Sequence, residues 1–272
     1  MNERRDGDRY HLTSEEIAAF RRDGFVHLRG VLDEEELAVI EVDYQRLIQR
    51  EIPVLDKDFC DMSGEYGQPI DDFAVINVML PRRYHPAWRG NLVERRAESI
   101  AAQLHGDGMV LDYDQLLAKP PRRPSGAFAW HQDQAYWIKT PDTRTATMWL
   151  ALDDSGAENG GMHFVPGSQQ ERDLREHSPL SGTRDESHTL AAVLEDHDPV
   201  FQPELSRGDA TIHGERVLHG SPGNPSGRWR RAYVVAYRSE ATVAQERRLG
   251  FTHSHNDEAR VLGQVEALDE ET

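Results

Sequence analysis

The chain has 272 residues, of which 38% are hydrophobic and 29% are charged, and this composition is typical of a globular chain with a substantial core. Its formal net charge of −17 argues against nucleic acid or an anionic membrane as a partner. No apolar run approaches the roughly 18 residues of a membrane span. Cys60 is the only cysteine, which excludes an intrachain disulfide, so we expect a cytoplasmic protein.

The first part of the chain predicts helices around one short strand. Thr13 and Glu16 have the spacing of a capping box, and Gly24 is placed to end the helix that follows. Residues 51–90 are rich in Pro and Gly, and we expect an irregular lid or substrate loop there. The remaining elements expected in this part are a strand at Phe25–Leu28, a helix from Asp33 to about Arg50 and a helix from Asn91 to Leu104.

From about Met109 the pattern changes to short strands separated by turns, which predicts a β-sandwich or barrel with the helices packed outside. The predicted strands are Met109–Ala118, Ala127–Gln134, Thr145–Leu152, Gly161–Val165, His188–Val193, Asp209–Leu218 and Arg231–Tyr237. Residues 167–200 are polar and predict a long insertion, and the last ~20 residues predict an acidic helix or a disordered tail. We therefore expect a single domain over 1–272, with N-terminal helices at about 12–106, a β core at about 107–240 and a C-terminal tail.

Three side chains have the chemistry of a metal centre. In an extended strand His131 and Asp133 would point to the same face, so both can reach one ion. His219 completes a set of two imidazoles and one carboxylate, which suits non-haem Fe(II) and leaves three positions open for oxygen and a co-substrate. An arginine shortly after His219, in the run Arg228–Arg231, can hold a dicarboxylate by a bidentate fork. These residues predict an oxygenase that depends on iron and 2-oxoglutarate.

Nine short segments, each weak alone, occur in an order and spacing that resemble the phytanoyl-CoA dioxygenase (PhyH-like) family of iron- and 2-oxoglutarate-dependent oxygenases. The resemblance covers roughly residues 10–240. The segments are Leu12–Glu16, Asp23–Val26, Gln115–Pro121, Trp130–Asp133 (with Tyr136 and Trp137), Trp149–Asp154, Glu158–Gly161, Val165–Ser168, His219–Ser221 and Arg230–Ala232.

The resemblance implies a mainly β fold with flanking α-helices: a double-stranded β-helix (jelly-roll, cupin-like) of two four-stranded sheets, with iron at one mouth. It also implies Fe(II), 2-oxoglutarate as co-substrate and O₂. Arg231 would face away from Arg230 in a strand, so only one of the two should point inward, and Arg228 stays an alternative. By motif position the implied roles are iron ligation by His131, Asp133 and His219, pairing of the far carboxylate of 2-oxoglutarate with Arg230, and co-substrate contacts from Gln115, Trp149 and Ser221.

The implied reaction hydroxylates or oxidatively cyclises a small polar metabolite while 2-oxoglutarate is decarboxylated to succinate. The chain is similar to tailoring members of antibiotic biosynthesis of the orthosomycin or aminoglycoside type, so a sugar-containing natural product is expected as the substrate. Related halogenases lack the carboxylate that Asp133 supplies, which argues against halogenation. Two alternatives stay open: a zinc-type metal hydrolase and a non-catalytic cupin-like binding protein. His163 and His213 are interpreted either as structural residues or as substrate contacts.

Overall fold

Capping boxes begin the first two helices. In the computed structural model, which describes residues 3–180, 186 and 188–257, the Thr13 side chain accepts from the backbone of Glu16, whose carboxylate accepts from the backbone of Thr13. Asp33 and Glu36 repeat this arrangement. These reciprocal bonds satisfy donors that a helix N-terminus leaves free. The helices are α1 (Ser14–Asp23), α2 (Glu34–Ile48), α3 (Pro81–Tyr84), α4 (Leu92–His105) and α5 (Glu240–Arg248).

A seven-stranded antiparallel sheet, here called the major sheet, forms the centre of the molecule. Its strand order is β3-β12-β8-β14-β6-β5-β4. In chain order the strands are β1 (Arg5–Asp6), β2 (Arg9–Tyr10), β3 (Phe25–Leu28), β4 (Phe59–Asp61), β5 (Ile76–Met79), β6 (Met109–Lys119), β7 (Phe128–His131), β8 (Thr145–Ala151), β9 (His163–Phe164), β10 (His177–Pro179), β11 (Leu190–Ala192), β12 (Ala210–His213), β13 (His219–Ser221) and β14 (Arg230–Ser239).

A minor sheet of three antiparallel strands, in the order β7-β13-β9, faces the major sheet. His219 is paired directly with His131 in its register. The hairpin β10–β11 lies beside β7. Apolar side chains from both sheets, including Trp149, Val234 and Phe164, pack into one cluster between them. This arrangement is the predicted double-stranded β-helix of the cupin-like jelly-roll type, although its described strands divide as seven and three rather than four and four.

The other face of the major sheet packs against helices, as the sequence predicts. Along β8, Thr147 and Trp149 point toward the minor sheet, while Met148 and Leu150 join the core that α2 and α4 cover. Because successive side chains of a strand point to opposite faces, a strand covered on both sides is apolar throughout. Within the described ranges, no helix combines the length and apolar character that crossing a membrane would need.

The prediction of an irregular region at 51–90 was wrong in part. β4 and β5 lie in this region and extend the major sheet at its β6 edge. Their sequences are short and flanked by Pro, Gly and Asp, so the strand pattern is hidden from periodicity. The polar insertion at 167–200 likewise contains the hairpin β10–β11.

Two predicted strands were too long. β7 ends at His131, and Asp133 begins a 3₁₀ turn, Asp133–Tyr136, because Gln134 donates its backbone N–H to Glu215 rather than to a strand. The segment predicted as Asp209–Leu218 contains β12 and then a turn, so His213 and His219 lie on different strands of different sheets. The predicted C-terminal tail falls mostly on 258–272, outside the described residues.

Candidate active site

A pocket of about 550 Å³ lies between the major and minor sheets. It contains all seven residues that the sequence marks as site candidates. The major sheet contributes Gln115, Trp149 and Arg230, the minor sheet contributes His131, His219 and Ser221, and the turn after β7 contributes Asp133.

His131, Asp133 and His219 meet at one side of this pocket. The Nε2 atoms of His131 and His219 lie 3.5 and 3.6 Å from Asp133 Oδ1. Each ring donates from Nδ1 to a backbone carbonyl, that of Ala129 at 2.7 Å and that of Val217 at 3.0 Å. A carbonyl can only accept, so these bonds fix the tautomer and direct the lone pair of each Nε2 toward Asp133.

The electrostatics of this cluster suit a divalent metal ion. Burial raises the pKa of Asp133, but the neighbouring histidines, His219 above all, hold that pKa well below its usual range. Burial, and then His131, lower the pKa of His219 well below its usual value. The result is an ionised carboxylate beside a neutral His219 imidazole. Asp133 Oδ2 is buried without a hydrogen bond in the described part of the chain. This donor set fits Fe(II) and related transition metals.

Two buried basic side chains lie at the inner end of the pocket. Arg230, 2% exposed, is part of the lining, and Lys119, 0% exposed, lies behind it, outside the described lining. Lys119 Nζ is compensated by three oxygens: it donates to Ser221 Oγ at 2.6 Å and to the backbone carbonyls of Ser221 and Pro222. Arg230 Nη2 donates to Ser221 Oγ at 3.4 Å, and the described residues place no carboxylate in an ion pair with Arg230. Burial lowers the pKa of Arg230 to about 10 and lowers the pKa of Lys119 well below its usual value. A buried guanidinium without an anionic partner is costly, so this end of the pocket is suited to an anion.

The arginines beside Arg230 point elsewhere. Arg231 pairs with Asp153 at 2.7 Å on the opposite face of β14, and Arg228 is exposed and pairs with Glu158. Only Arg230 points into the pocket, where its guanidinium carbon lies 5.2 Å from the centre of the Trp149 ring. The alternation of β14 therefore separates Arg230 from Arg231, and Arg228 lies before the strand begins.

Sequence reasoning did not single out Lys119, which lies behind the pocket and holds Ser221 in place. It is the last residue of β6 and lies directly opposite Arg230 in the β6–β14 register. The signal that could have identified it is a lysine, one of only three in the chain, at the end of a strand that is otherwise buried. Gln115 lies on the same strand, and its amide donates to Asn77 at 2.6 Å.

The structure places His163 and His213, whose roles the sequence left open, in different surroundings. His163 stacks on Trp130, with 6.1 Å between ring centres, and it is absent from the described pocket lining. His213 lines the pocket, and its Nε2 lies 3.4 Å from Asp133 Oδ2.

A second group of potential ligands, Asp112, Glu246 and His253, is also buried. Arg238 already occupies it, 3.1 Å from Asp112 and 2.5 Å from Glu246, and Arg247 pairs with Asp112 as well. Two guanidinium groups neutralise these carboxylates, so this group is an ion-pair network that joins α5 and the following segment to β6.

The fold and the site together define a class of protein, the cupin-like oxygenases that use iron and 2-oxoglutarate. The chain belongs to the phytanoyl-CoA dioxygenase (PhyH) family, whose sequence model matches residues 20–232. It is therefore an Fe(II)/2-oxoglutarate-dependent dioxygenase, and the hydrolase and non-catalytic alternatives are not retained.

Three comparisons illustrate the relationship. The chain is 30% identical over 229 residues to a 2-aminoethylphosphonate dioxygenase of Uncultured bacterium HF130_AEPn_1, covering 84% of this chain and 82% of that protein. It is similar to the non-heme alpha ketoglutarate dependent carbocyclase SnoK from nogalamycin biosynthesis (25% identity, TM-score 0.66, 84% and 85% of the two chains). It is also similar to EvdO2 from Micromonospora carbonacea var. aurantiaca complexed with 2-oxoglutarate (25% identity, TM-score 0.66, 84% and 91%).

Proposed function

We propose that this dioxygenase holds Fe(II) through His131, Asp133 and His219 and binds 2-oxoglutarate with its far carboxylate on Arg230. One observation carries the proposal: Arg230, a buried cation without a carboxylate partner in the described structure, lies in the same pocket as the metal-type cluster. Buried cations of this kind are stabilised by a bound anion, and a dicarboxylate can reach both the metal and the arginine.

Different residues position the metal ligands and bind the co-substrate. The backbone carbonyls of Ala129 and Val217 fix the two imidazoles before the metal binds. Arg230 offers a planar fork to the far carboxylate, and the Ser221 hydroxyl, which accepts from Lys119, offers a further donor. Iron, 2-oxoglutarate and O₂, when bound, supply the oxidising power that removes a hydrogen atom from a substrate C–H bond, and the co-substrate leaves as succinate and CO₂.

The walls of the pocket exclude water from the anion end. Trp149 covers the Arg230 guanidinium, and Leu117 and Val234 line the same space. An ion pair in such surroundings is screened less than one at the surface. The arrangement therefore favours a co-substrate whose charge is fully enclosed.

We further propose that the substrate is a small polar metabolite, most specifically a sugar-containing natural product, which is hydroxylated or oxidatively cyclised. Three observations support this. The pocket offers hydrogen-bonding groups, among them the Thr147 hydroxyl, which is buried without a partner in the described residues. The net charge of −17 disfavours polyanions such as CoA esters. The relatives include proteins named for 2-aminoethylphosphonate and for a carbocyclase step of nogalamycin biosynthesis.

The test is substrate-stimulated succinate formation by purified protein with Fe(II), 2-oxoglutarate and O₂. Compounds are assayed in three groups: aminocyclitols and glycosides, small phosphonates and amino acids, and acyl-CoA esters. Turnover in the first group supports the substrate proposal. Turnover of acyl-CoA esters alone would overturn it while leaving the metal site intact.

A matched pair of variants separates site function from general damage. Arg230→Ala removes the buried fork, whereas Arg228→Ala removes an exposed arginine two residues away that lies outside the pocket. The proposal requires loss of turnover in the first and retention in the second. Equal activity of both variants would contradict the assignment of Arg230.

A further inference from the structure

His213 is the histidine that the major sheet contributes to the metal-type cluster. It is the last residue of β12, where it pairs with Thr147 of β8 and with Phe25 of β3, and it is buried. Its ring centre lies 4.6 Å from that of His219 and 5.9 Å from that of Phe164. It therefore faces the cluster from the side opposite the minor sheet.

The two oxygens of Asp133 face different histidines. Oδ1 lies near His131 and His219, at 3.5 and 3.6 Å from their Nε2 atoms. Oδ2 lies 3.4 Å from His213 Nε2. The ligand atoms that approach within 4.8 Å of one another belong to His131, Asp133 and His219. His213 thus faces the carboxylate oxygen that the other two histidines do not approach.

The surroundings of the His213 ring differ from those of the two other rings. His131 and His219 each donate from Nδ1 to a carbonyl, so each directs Nε2 toward Asp133 Oδ1. His213 Nδ1 is buried without a hydrogen-bond partner in the described structure, and its Nε2 faces Asp133 Oδ2 at 3.4 Å. Oδ2 is itself buried and has no hydrogen bond among the described residues. A small shift of either side chain would therefore join an acceptor that lacks a donor to a ring nitrogen that already faces it.

We propose that His213 is a positioning residue that keeps Asp133 bound to the metal through Oδ1 alone. This inference rests on the proposed metal site. Six-coordinate iron with three protein ligands has three positions for 2-oxoglutarate and O₂. A second oxygen from Asp133 would take the position that O₂ needs. In the metal-bound protein, His213 would donate from Nε2 to Oδ2, which it already faces at 3.4 Å, and so hold that oxygen away from the metal.

Three substitutions of His213 distinguish the effect of its hydrogen-bond donor from the effect of its size. His213→Phe keeps a ring of similar size but removes the donor. His213→Gln places an amide N–H about where Nε2 lies, and His213→Asn has the same amide on a shorter side chain that falls short of Oδ2. His163→Gln, outside the described pocket lining, serves as the control.

The experiment compares Co(II)-substituted proteins with 2-oxoglutarate under anaerobic conditions, where the ligand-field absorption reports the coordination number. We expect altered spectra for His213→Phe and His213→Asn, and wild-type spectra for His213→Gln and His163→Gln. Turnover with Fe(II) should fall about 10–100-fold in the first two, as is usual when a group that orients a metal ligand is removed, and His213→Gln should restore most of it.

The outcomes distinguish the two proposals. If wild-type protein takes up no Co(II), the proposed metal site itself is wrong and this inference fails with it. If Co(II) binds and all spectra coincide with the wild type, the metal site stands and the role of His213 is refuted. If all three His213 variants lose Co(II) affinity equally, His213 is a metal ligand and the positioning role is refuted.

Discussion

Lys119 Nζ donates to Ser221 Oγ at 2.6 Å and so joins the last residue of β6 to the last residue of β13. This bond links the major and minor sheets at the inner end of the pocket, beside Arg230. It places a second basic group behind Arg230, close to the proposed position of the far carboxylate of 2-oxoglutarate. Burying a lysine this deeply is costly, and three oxygens compensate it here: Ser221 Oγ and the backbone carbonyls of Ser221 and Pro222.

Replacing Lys119 with Met tests its role. The substitution keeps the length of the side chain but removes the charge, so we expect the KM for 2-oxoglutarate to rise while kcat at saturating co-substrate changes little. The rise should be smaller than in Arg230→Ala, because an ammonium lacks the planar fork. The measurement is succinate formation against 2-oxoglutarate concentration. An unchanged KM would show that Lys119 only ties the two sheets together.

The same residue predicts a pH dependence. Burial lowers the pKa of Lys119 well below its usual value, and only the protonated form attracts a carboxylate. The KM for 2-oxoglutarate in the wild-type protein should therefore rise as pH increases and the proton is lost. In Lys119→Met this part of the dependence should disappear. If the KM for 2-oxoglutarate changes with pH in the same way in the wild type and in Lys119→Met, this pH dependence does not come from Lys119.

We expect the largest loss of 2-oxoglutarate affinity when Arg230 is replaced. Removing one side of a buried charge-assisted pair costs about 2–5 kcal/mol, so Arg230→Ala should raise the KM for 2-oxoglutarate roughly 30-fold or more. Arg230→Lys should recover only part of the affinity. Arg228→Ala provides the comparison, since Arg228 lies on the surface with Glu158. If Arg230→Ala shows the wild-type KM for 2-oxoglutarate, Arg230 is not the arginine that binds the co-substrate.

Asp114 predicts how stability depends on pH. Burial, partly offset by Arg82, raises the pKa of Asp114 to about 7, whereas an unfolded aspartate titrates near 3.9. Between these values the folded state binds more protons than the unfolded state, so this residue's contribution to stability is lost as pH rises toward 7. Asp114→Asn should unfold with a weaker pH dependence between about pH 4.5 and 7.5 in thermal denaturation. Asp107→Asn, at an exposed site, should follow the wild type.

The fold class and the residues of the site could be predicted from the sequence, because both predictions depend on local patterns. The alternation of β14 separates Arg230 from Arg231, and the capping boxes at Thr13 and Asp33 begin their helices as expected. Asp133 also lies in the cluster, but it belongs to a 3₁₀ turn rather than to the predicted strand.

What the sequence did not show depends on tertiary contacts. Lys119 gains its importance only because β14 places Arg230 opposite it. His213 gains its importance because the turn after β12 lets the next strand cross to the other sheet and carry His219 back beside it. β5 is a strand because β6 offers it an edge to pair with, and β4 in turn pairs with β5. Their own sequences lack a clear alternation.

The most direct test of the central claim is a crystal structure of the protein with Mn(II), as a redox-inert substitute for iron, and 2-oxoglutarate. We predict one Mn(II) bound by Nε2 of His131, Oδ1 of Asp133 and Nε2 of His219, with the far carboxylate of 2-oxoglutarate on Arg230. Mn(II) among Asp112, Glu246 and His253 instead, or a 2-oxoglutarate whose far carboxylate lies away from Arg230, would contradict it.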